Sequence, residues 1–194
     1  YYYGSVKGEE IADYSYNYST NRKTDGTYDP STKRTTSVYL YGDSANRADS
    51  GATSEDRMSV SETYKTLNIA DINKLPKTDT NTPNIQSATY YKQDKSYEIA
   101  DYTYNYQVGT TTIKSTSAYF YNPVTGTELK RAKDADQEAS LARSLNYKGS
   151  ITVSDSTAFY STGSVVELLA ALTGETYYYG SVKGEEIADY SYNY

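Results

Sequence analysis

The chain has 194 residues, a net charge of −6, 26 tyrosines and no Cys, His or Trp. Without Cys there is no disulfide framework, and without Cys or His the common Ser-His and Cys-His nucleophile pairs and the usual zinc ligand sets are excluded. The negative charge offers neither nucleic acid nor an anionic membrane an electrostatic attraction.

The apolar content is low, but each tyrosine can bury a ring and keep its hydroxyl wet. Tyr, Thr and Val favour pleated, half-buried surfaces, so the composition predicts a mainly β protein. The expected architecture is an antiparallel sheet, sandwich or barrel-like, with short helices. No cofactor or metal site is expected.

Residues 1–18 read "YYYGSVKGEEIADYSYNY". The "GSVKGEE" stretch lacks the G-K-[ST] ending and following helix of a phosphate loop, and reads as a turn into a strand. In "IADYSYNY" the period of two puts Ala12, Tyr14, Tyr16 and Tyr18 on one face and Ile11, Asp13, Ser15 and Asn17 on a polar outer face. Tyr14 and Tyr16, with Tyr102 and Tyr104 in a later copy, are expected to be mostly buried, and Asp13 and Asp101 to face solvent. "NYS" at 17–19 is a formal glycosylation acceptor in a secreted chain. "DGTYD" (25–29) and "TYDPSTK" (27–33) read as loop and turn. "VYLY" (38–41) is apolar on both sides and suits a strand covered on both faces. Residues 42–57 read mostly as loop, and "NIADINKLP" (68–76) as a short helix ended by Pro76. "KTDTNTPN" (77–84) is an oxygen-rich loop.

"AYFY" (118–121) repeats the strand signal, followed by the turn "YNPVTG". Residues 127–149 are the longest predicted helix, with Thr127 as cap, Leu129, Ala132, Ala139, Ala142 and Leu145 as a shallow stripe, and Gly149 after its end. Within it, "DADQE" (134–138) spaces acids as calcium loops do but lacks the turn glycine, so it reads as a solvated helix face. "SITVS" (150–154) reads as a strand. Residues 162–175 read as a helix with Leu168, Leu169 and Leu172 at helical spacing and Gly174 as stop. Its "VVELLAAL" core is too short to cross a bilayer, so no membrane insertion is expected.

The final residues, 177–194, are the same eighteen letters as 1–18, and "SYEIADYTYNY" (96–106) is a third, diverged copy. Ile11, Ile99 and Ile187 are spaced 88 apart. "TSVYLY" (36–41) matches "TSAYFY" (116–121), and "MSVSE" (58–62) matches "ITVSD" (151–155). Self-similarity at a fixed period means one structural unit has been copied. The predicted organisation is unit A at 1–88, unit B at 89–176, and the start of a further unit at 177–194. Two arrangements fit. Units can be separate beads, which the general preference for compact domains favours. Alternatively the repeated strand completes the sheet of a neighbour. The assembly strand would then be Ile11, Tyr14, Tyr16 and Tyr18, or Ile187, Tyr190, Tyr192 and Tyr194. The start at Tyr1, without Met or signal peptide, reads as a mature or trimmed segment.

The stretch "YYGSVKGEEIADYSY" resembles the barrel-closing segment of bacterial surface lipoproteins of the transferrin-binding and factor-H-binding kinds. The matching positions are Tyr3, Gly4, Gly8, Glu10, Ile11 and Ala12. The glycine pair usual after the aliphatic residue is replaced by Ala12 and Asp13. The match covers under a tenth of the chain. The resemblance implies an antiparallel barrel and a host-protein ligand, and does not explain the repeat.

No spacing selects a catalytic carboxylate pair, and the chain is not expected to be an enzyme. The expected function is a structural repeat segment of a secreted or cell-surface protein, of the bacterial adhesin-stalk or filament type. Its partners would be neighbouring units or copies of itself. The alternative is a β module that recognises a carbohydrate or host surface protein through its Tyr-rich strands.

Overall fold

A computed structural model describes residues 1–65, 68–72, 84–153 and 171–194. The period-two stretches form strands, and the protein is mainly β with antiparallel pairing. The strands are β1 (Tyr2–Tyr3), β2 (Ile11–Ala12), β3 (Tyr14–Ser19), β4 (Thr32–Tyr41), β5 (Asn46–Arg47), β6 (Met58–Lys65), β7 (Ile85–Lys92), β8 (Ile99–Tyr106), β9 (Ile113–Tyr121), β10 (Lys130–Arg131), β11 (Leu141–Lys148), β12 (Leu172–Tyr179) and β13 (Ile187–Asn193). One short helix, α1 (Ile69–Ile72), lies among the described residues.

The chain divides into two compact units, one of residues 1–88 with 106–112 and one of 89–105 with 113–194. In the first, β3 pairs with β4 and β4 with β6, with Tyr14 opposite Val38 and Thr36 opposite Tyr64. β1 pairs with β2, and β5 folds back on the end of β4. In the second the order is β8-β9-β11-β12-β13, with the latter half of β7 beside β8 and β10 on the end of β9.

"VYLY" and "AYFY" are strands buried on both sides, as their composition predicts. Val38, Leu40 and Tyr41 are buried in β4, and Ala118, Phe120 and Tyr121 in β9. One face of β9 meets Leu145, Tyr147 and Leu172. Its other face places Tyr121 with Ile99, Ala132, Ala135 and Ala139.

Several expectations are overturned. Residues 127–149 are not a helix. They form β10, a run of turns and β11. Tertiary contacts outweigh the helical spacing here. Arg131 is drawn inward to Asp101. Gln93 donates to the carbonyls of Ala132, at 2.5 Å, and Ala135, at 2.7 Å, which a helix would have used itself. The small alanines let this segment lie close over Ile99 and Tyr121.

Residues 150–153 are not a strand. The hydroxyl of Thr116 accepts from the Ile151 amide at 3.1 Å, and that of Tyr104 donates to the Ile151 carbonyl at 3.0 Å. Side chains thus satisfy the backbone that a ladder would have satisfied. The match of "MSVSE" to "ITVSD" is correspondingly displaced: against β9 it is β11 that holds the place β6 holds against β4, with Tyr147 opposite Thr116 as Tyr64 is opposite Thr36.

The predicted helix at 162–175 lies outside the described residues up to 170, and Leu172 to Glu175 belong to β12. Gly174 serves a different purpose from a helix stop. A Cβ there would stand 3.2 Å from the Tyr192 carbonyl of β13, a tight contact that glycine avoids. The short helix predicted at 68–76 is present as α1, and 73–76 lie outside the described residues.

Leu145 is fully buried between β9 and β12. Leu145→Ala should cost about 2–5 kcal/mol in urea unfolding, the usual range for a leucine cavity. A loss under about 1 kcal/mol would place Leu145 outside a tightly packed core.

Candidate functional site: a repeated carboxylate, arginine and tyrosine arrangement

The face assignment of the repeated strand is corrected by the structure. Asp13 is 6% exposed and Asp101 0%, while Tyr14, Tyr16, Tyr102 and Tyr104 are half-buried. The aspartates go inside because each meets an arginine that the chain brings back after its central strand. Arg47 of β5 donates through Nε to Asp13 at 3.0 Å and through a terminal nitrogen to the second carboxylate oxygen. Arg131 of β10 does the same to Asp101, with Nε at 3.1 Å. A planar guanidinium matches a carboxylate in this two-pronged way, and the pairing is what makes the buried charge tolerable.

The surrounding bonds recur with it. The hydroxyl of Tyr41 donates to the Ala12 carbonyl at 2.6 Å, and that of Tyr121 to the Ala100 carbonyl at 2.6 Å. Ser15 meets the Tyr39 hydroxyl at 3.2 Å, and Thr103 the Tyr119 hydroxyl at 3.2 Å. Asn17 donates to Thr35 at 3.1 Å, and Asn105 to Ser115 at 3.3 Å.

On the opposite face the tyrosines stack in threes. Tyr1 lies on Tyr14 with ring centres 4.3 Å apart, and Tyr14 meets Tyr16 edge-on at 5.2 Å. Tyr90 lies on Tyr102 at 4.4 Å, and Tyr102 meets Tyr104 at 5.2 Å. Tyr177 lies on Tyr190 at 4.7 Å, and Tyr190 meets Tyr192 at 5.6 Å. Stacked and edge-on pairs at these separations are the arrangements that ring quadrupoles favour. Lys33 caps the first set, its ammonium 3.6 Å from the centre of Tyr16.

The candidate assembly residues occupy two different settings. Ile11 lies in β2, and Tyr14, Tyr16 and Tyr18 lie in β3 against β4. Ile187, Tyr190 and Tyr192 lie in β13 against β12, with Tyr194 just beyond. The second set is open: Tyr190 is 47% and Tyr192 53% exposed. Tyr194 donates to Glu175 at 2.8 Å. That carboxylate also pairs with Arg143 of β11. Burial would raise the Glu175 carboxyl, but hydrogen bonds from Arg143, Tyr194 and Tyr177 together outweigh it and hold it below its ordinary value.

Sequence reasoning missed the two arginines and Glu175. A signal for the arginines is present: "NRAD" (46–49) and "KRAKD" (130–134) each place Arg-Ala shortly after the tyrosine-rich central strand. Among the described residues no group of three or more acids is placed to hold a metal ion. No helix among them is long and apolar enough to cross a membrane.

No protein-family model, curated protein or solved structure matches this chain.

Two measurements follow from this geometry. Asp101→Asn leaves the Arg131 guanidinium buried beside a neutral amide and should cost about 3–5 kcal/mol. Asp189→Asn changes the same letter in the exposed copy and should stay within about 0.5 kcal/mol. Equal effects in chemical denaturation would contradict the different burial of the two copies.

The second concerns alkali. Burial raises the phenols of Tyr102, Tyr119 and Tyr121, with neighbouring tyrosines adding to the shift and, at Tyr102 and Tyr121, Asp101 as well. Their folded values lie above the ordinary 10.0, so their contribution to stability is complete below about pH 10 and is lost as pH rises through the folded values. Absorbance at 295 nm should show a late-titrating group of tyrosines that ionise together with unfolding. A curve superimposable on that in urea would refute the burial of these rings.

Proposed function

We propose that this chain is a structural segment of a repetitive extracellular or cell-surface protein, an adhesin stalk or filament, and not an enzyme. One observation carries the reading: the same eighteen residues are paired twice over, once as β1 to β3 with β3 against β4, and once as the end of β12 and β13 with β13 against β12. Main-chain pairing, stacked rings and a buried ion pair are all geared to holding strands together. The tandem copying at 88 residues, the polar surface and the absence of Cys accord with an extended array.

Electron microscopy of the native protein tests this. Rods or strings with a regular repeat are expected. Isolated particles without periodicity would overturn it.

A second reading is supported by the half-open tyrosines. Tyr190 and Tyr192 offer ring faces at 47% and 53% exposure, which suits stacking on sugar rings. Saturable quenching of tyrosine fluorescence by an oligosaccharide, lost in Tyr192→Ala, would favour this binding module.

A further inference from the structure

Near-parallel tyrosine pairs recur at one place in the repeat. Tyr1 lies on Tyr14 with ring planes 15° apart, Tyr90 on Tyr102 at 14° and Tyr177 on Tyr190 at 19°. Their ring centres are 4.3, 4.4 and 4.7 Å apart. Parallel rings this close touch face to face, because carbon atoms meet at about 3.5–4.0 Å. The next tyrosine along each strand is placed differently. Tyr16, Tyr104 and Tyr192 stand edge-on, at 62°, 63° and 75° to Tyr14, Tyr102 and Tyr190. In the middle copy the stacked pair joins neighbouring strands, Tyr90 in β7 and Tyr102 in β8. Both rings are half-buried, so one part of each meets solvent.

We infer that Tyr90 and Tyr102 form an oxidative cross-linking site, at which a one-electron oxidant joins the two rings as dityrosine. Tyr1 with Tyr14 and Tyr177 with Tyr190 are sites of the same kind. Each phenol gives one electron to the oxidant and its hydroxyl proton to water. The unpaired electron of each phenoxyl radical then lies in the ring's π system, with density on the carbons ortho to oxygen. A bond between two ortho carbons forms along those π lobes, perpendicular to the ring planes, so coupling needs rings that face each other. The stacked pair supplies this. An edge-on pair aims a C–H of one ring at the face of the other and does not. After coupling, each joined carbon releases its hydrogen as a proton and each oxygen takes one back, which restores both phenols. The balance is two tyrosines in, and one dityrosine, two protons and two electrons out, the electrons reducing two equivalents of oxidant.

The middle pair also stands where a covalent tie has most to hold. Tyr90 and Tyr102 bracket the turn between β7 and β8, and in that turn Gln93 and Ser96 hold φ at 79° and 71°. The other copies put glycine at these two places, Gly4 and Gly8 or Gly180 and Gly184. Side chains rarely adopt this conformation, so the middle turn carries strain that its counterparts avoid. A bond across its base would restrict the unfolded chain and keep the turn closed, as a disulfide does where cysteine is present. This chain has none. The cross-link is a property of the folded chain, goes beyond the structural reading above and does not rest on it.

The test treats the full chain, folded and dilute, with stoichiometric tris(bipyridyl)ruthenium(III). The monomer should lose two hydrogen masses per cross-link and gain dityrosine fluorescence. Trypsin should then release peptides 78–92 and 96–114 joined to each other, with fragmentation placing the bond between Tyr90 and Tyr102. Tyr90→Phe and Tyr102→Phe each keep a ring and remove the oxidisable hydroxyl, and each should abolish this linkage. Tyr104→Phe removes the edge-on neighbour and Tyr91→Phe the adjacent residue of the same peptide, and both should leave it. In urea the bonds should scatter over other tyrosines. The linked chain should need more urea to unfold than the Tyr102→Phe chain oxidised in the same way.

Absence of dityrosine from the folded monomer would overturn the proposal. So would a 90–102 linkage no more frequent than in urea, or bonds that run chiefly between Tyr102 and Tyr104. An unchanged urea midpoint in the linked chain would overturn its role at the turn. None of these results bears on the structural reading, which micrographs of the native protein decide.

Discussion

The buried fork between an aspartate and an arginine sets the terms for the rest of the structure. A carboxylate as hidden as Asp101 is tolerable only with a counter-charge and satisfied lone pairs. Arg131 supplies both with two parallel bonds. The net gain over an apolar pair is small, because both charges lose their water. The effect on register is large. A slip of one residue along the strand would turn Asp101 outward and present Tyr102 to Arg131, since side chains alternate. The ion pair thus excludes the register that a tyrosine-rich strand would otherwise find easiest to adopt.

Once the aspartate points inward, the tyrosines must take the other face. There they stack along the strand and from strand to strand, as Tyr90, Tyr102 and Tyr104 do. This offsets a shortage of aliphatic residues: each ring buries area against its neighbour while the hydroxyl finds a backbone or solvent partner. The hydroxyls of Tyr41 and Tyr121, directed to the Ala12 and Ala100 carbonyls, go further and tie the central strands to the residue before each aspartate.

The legible parts of the fold were those where period and propensity agree. "IADYSYNY", "VYLY" and "AYFY" are strands in the structure, and the mainly β class follows from them. The face of "IADYSYNY" was not legible, because alternation says which residues share a side and not which side is covered. The deciding residue, Arg47, lies 34 positions from Asp13. Residues 127–149 misled for a related reason. Ala132, Ala135 and Ala139 suit a helix and equally suit a chain pressed against Tyr121, and only the long-range pull of Asp101 on Arg131 separates the two. Glu175 was hidden in text that read as helix because Leu172 and Gly174 match a helix end, while a glycine at a close strand contact looks the same on the page.

The two identical stretches isolate what context contributes. Residues 11–18 and 187–194 share local propensity, charge and side-chain volume. Asp13 is nevertheless buried and Asp189 exposed. The difference lies in the neighbour: β3 has β4 and β5 on one side, and β13 has β12 on the other. β8 has neighbours on both sides, and its Asp101 is the most deeply buried of the three. Burial of this aspartate therefore tracks the arrival of the arginine-bearing hairpin and not the strand's own sequence. The strand letters are thus compatible with both settings: paired with β12 alone they leave the carboxylate exposed, and paired with β4 beside Arg47 they bury it.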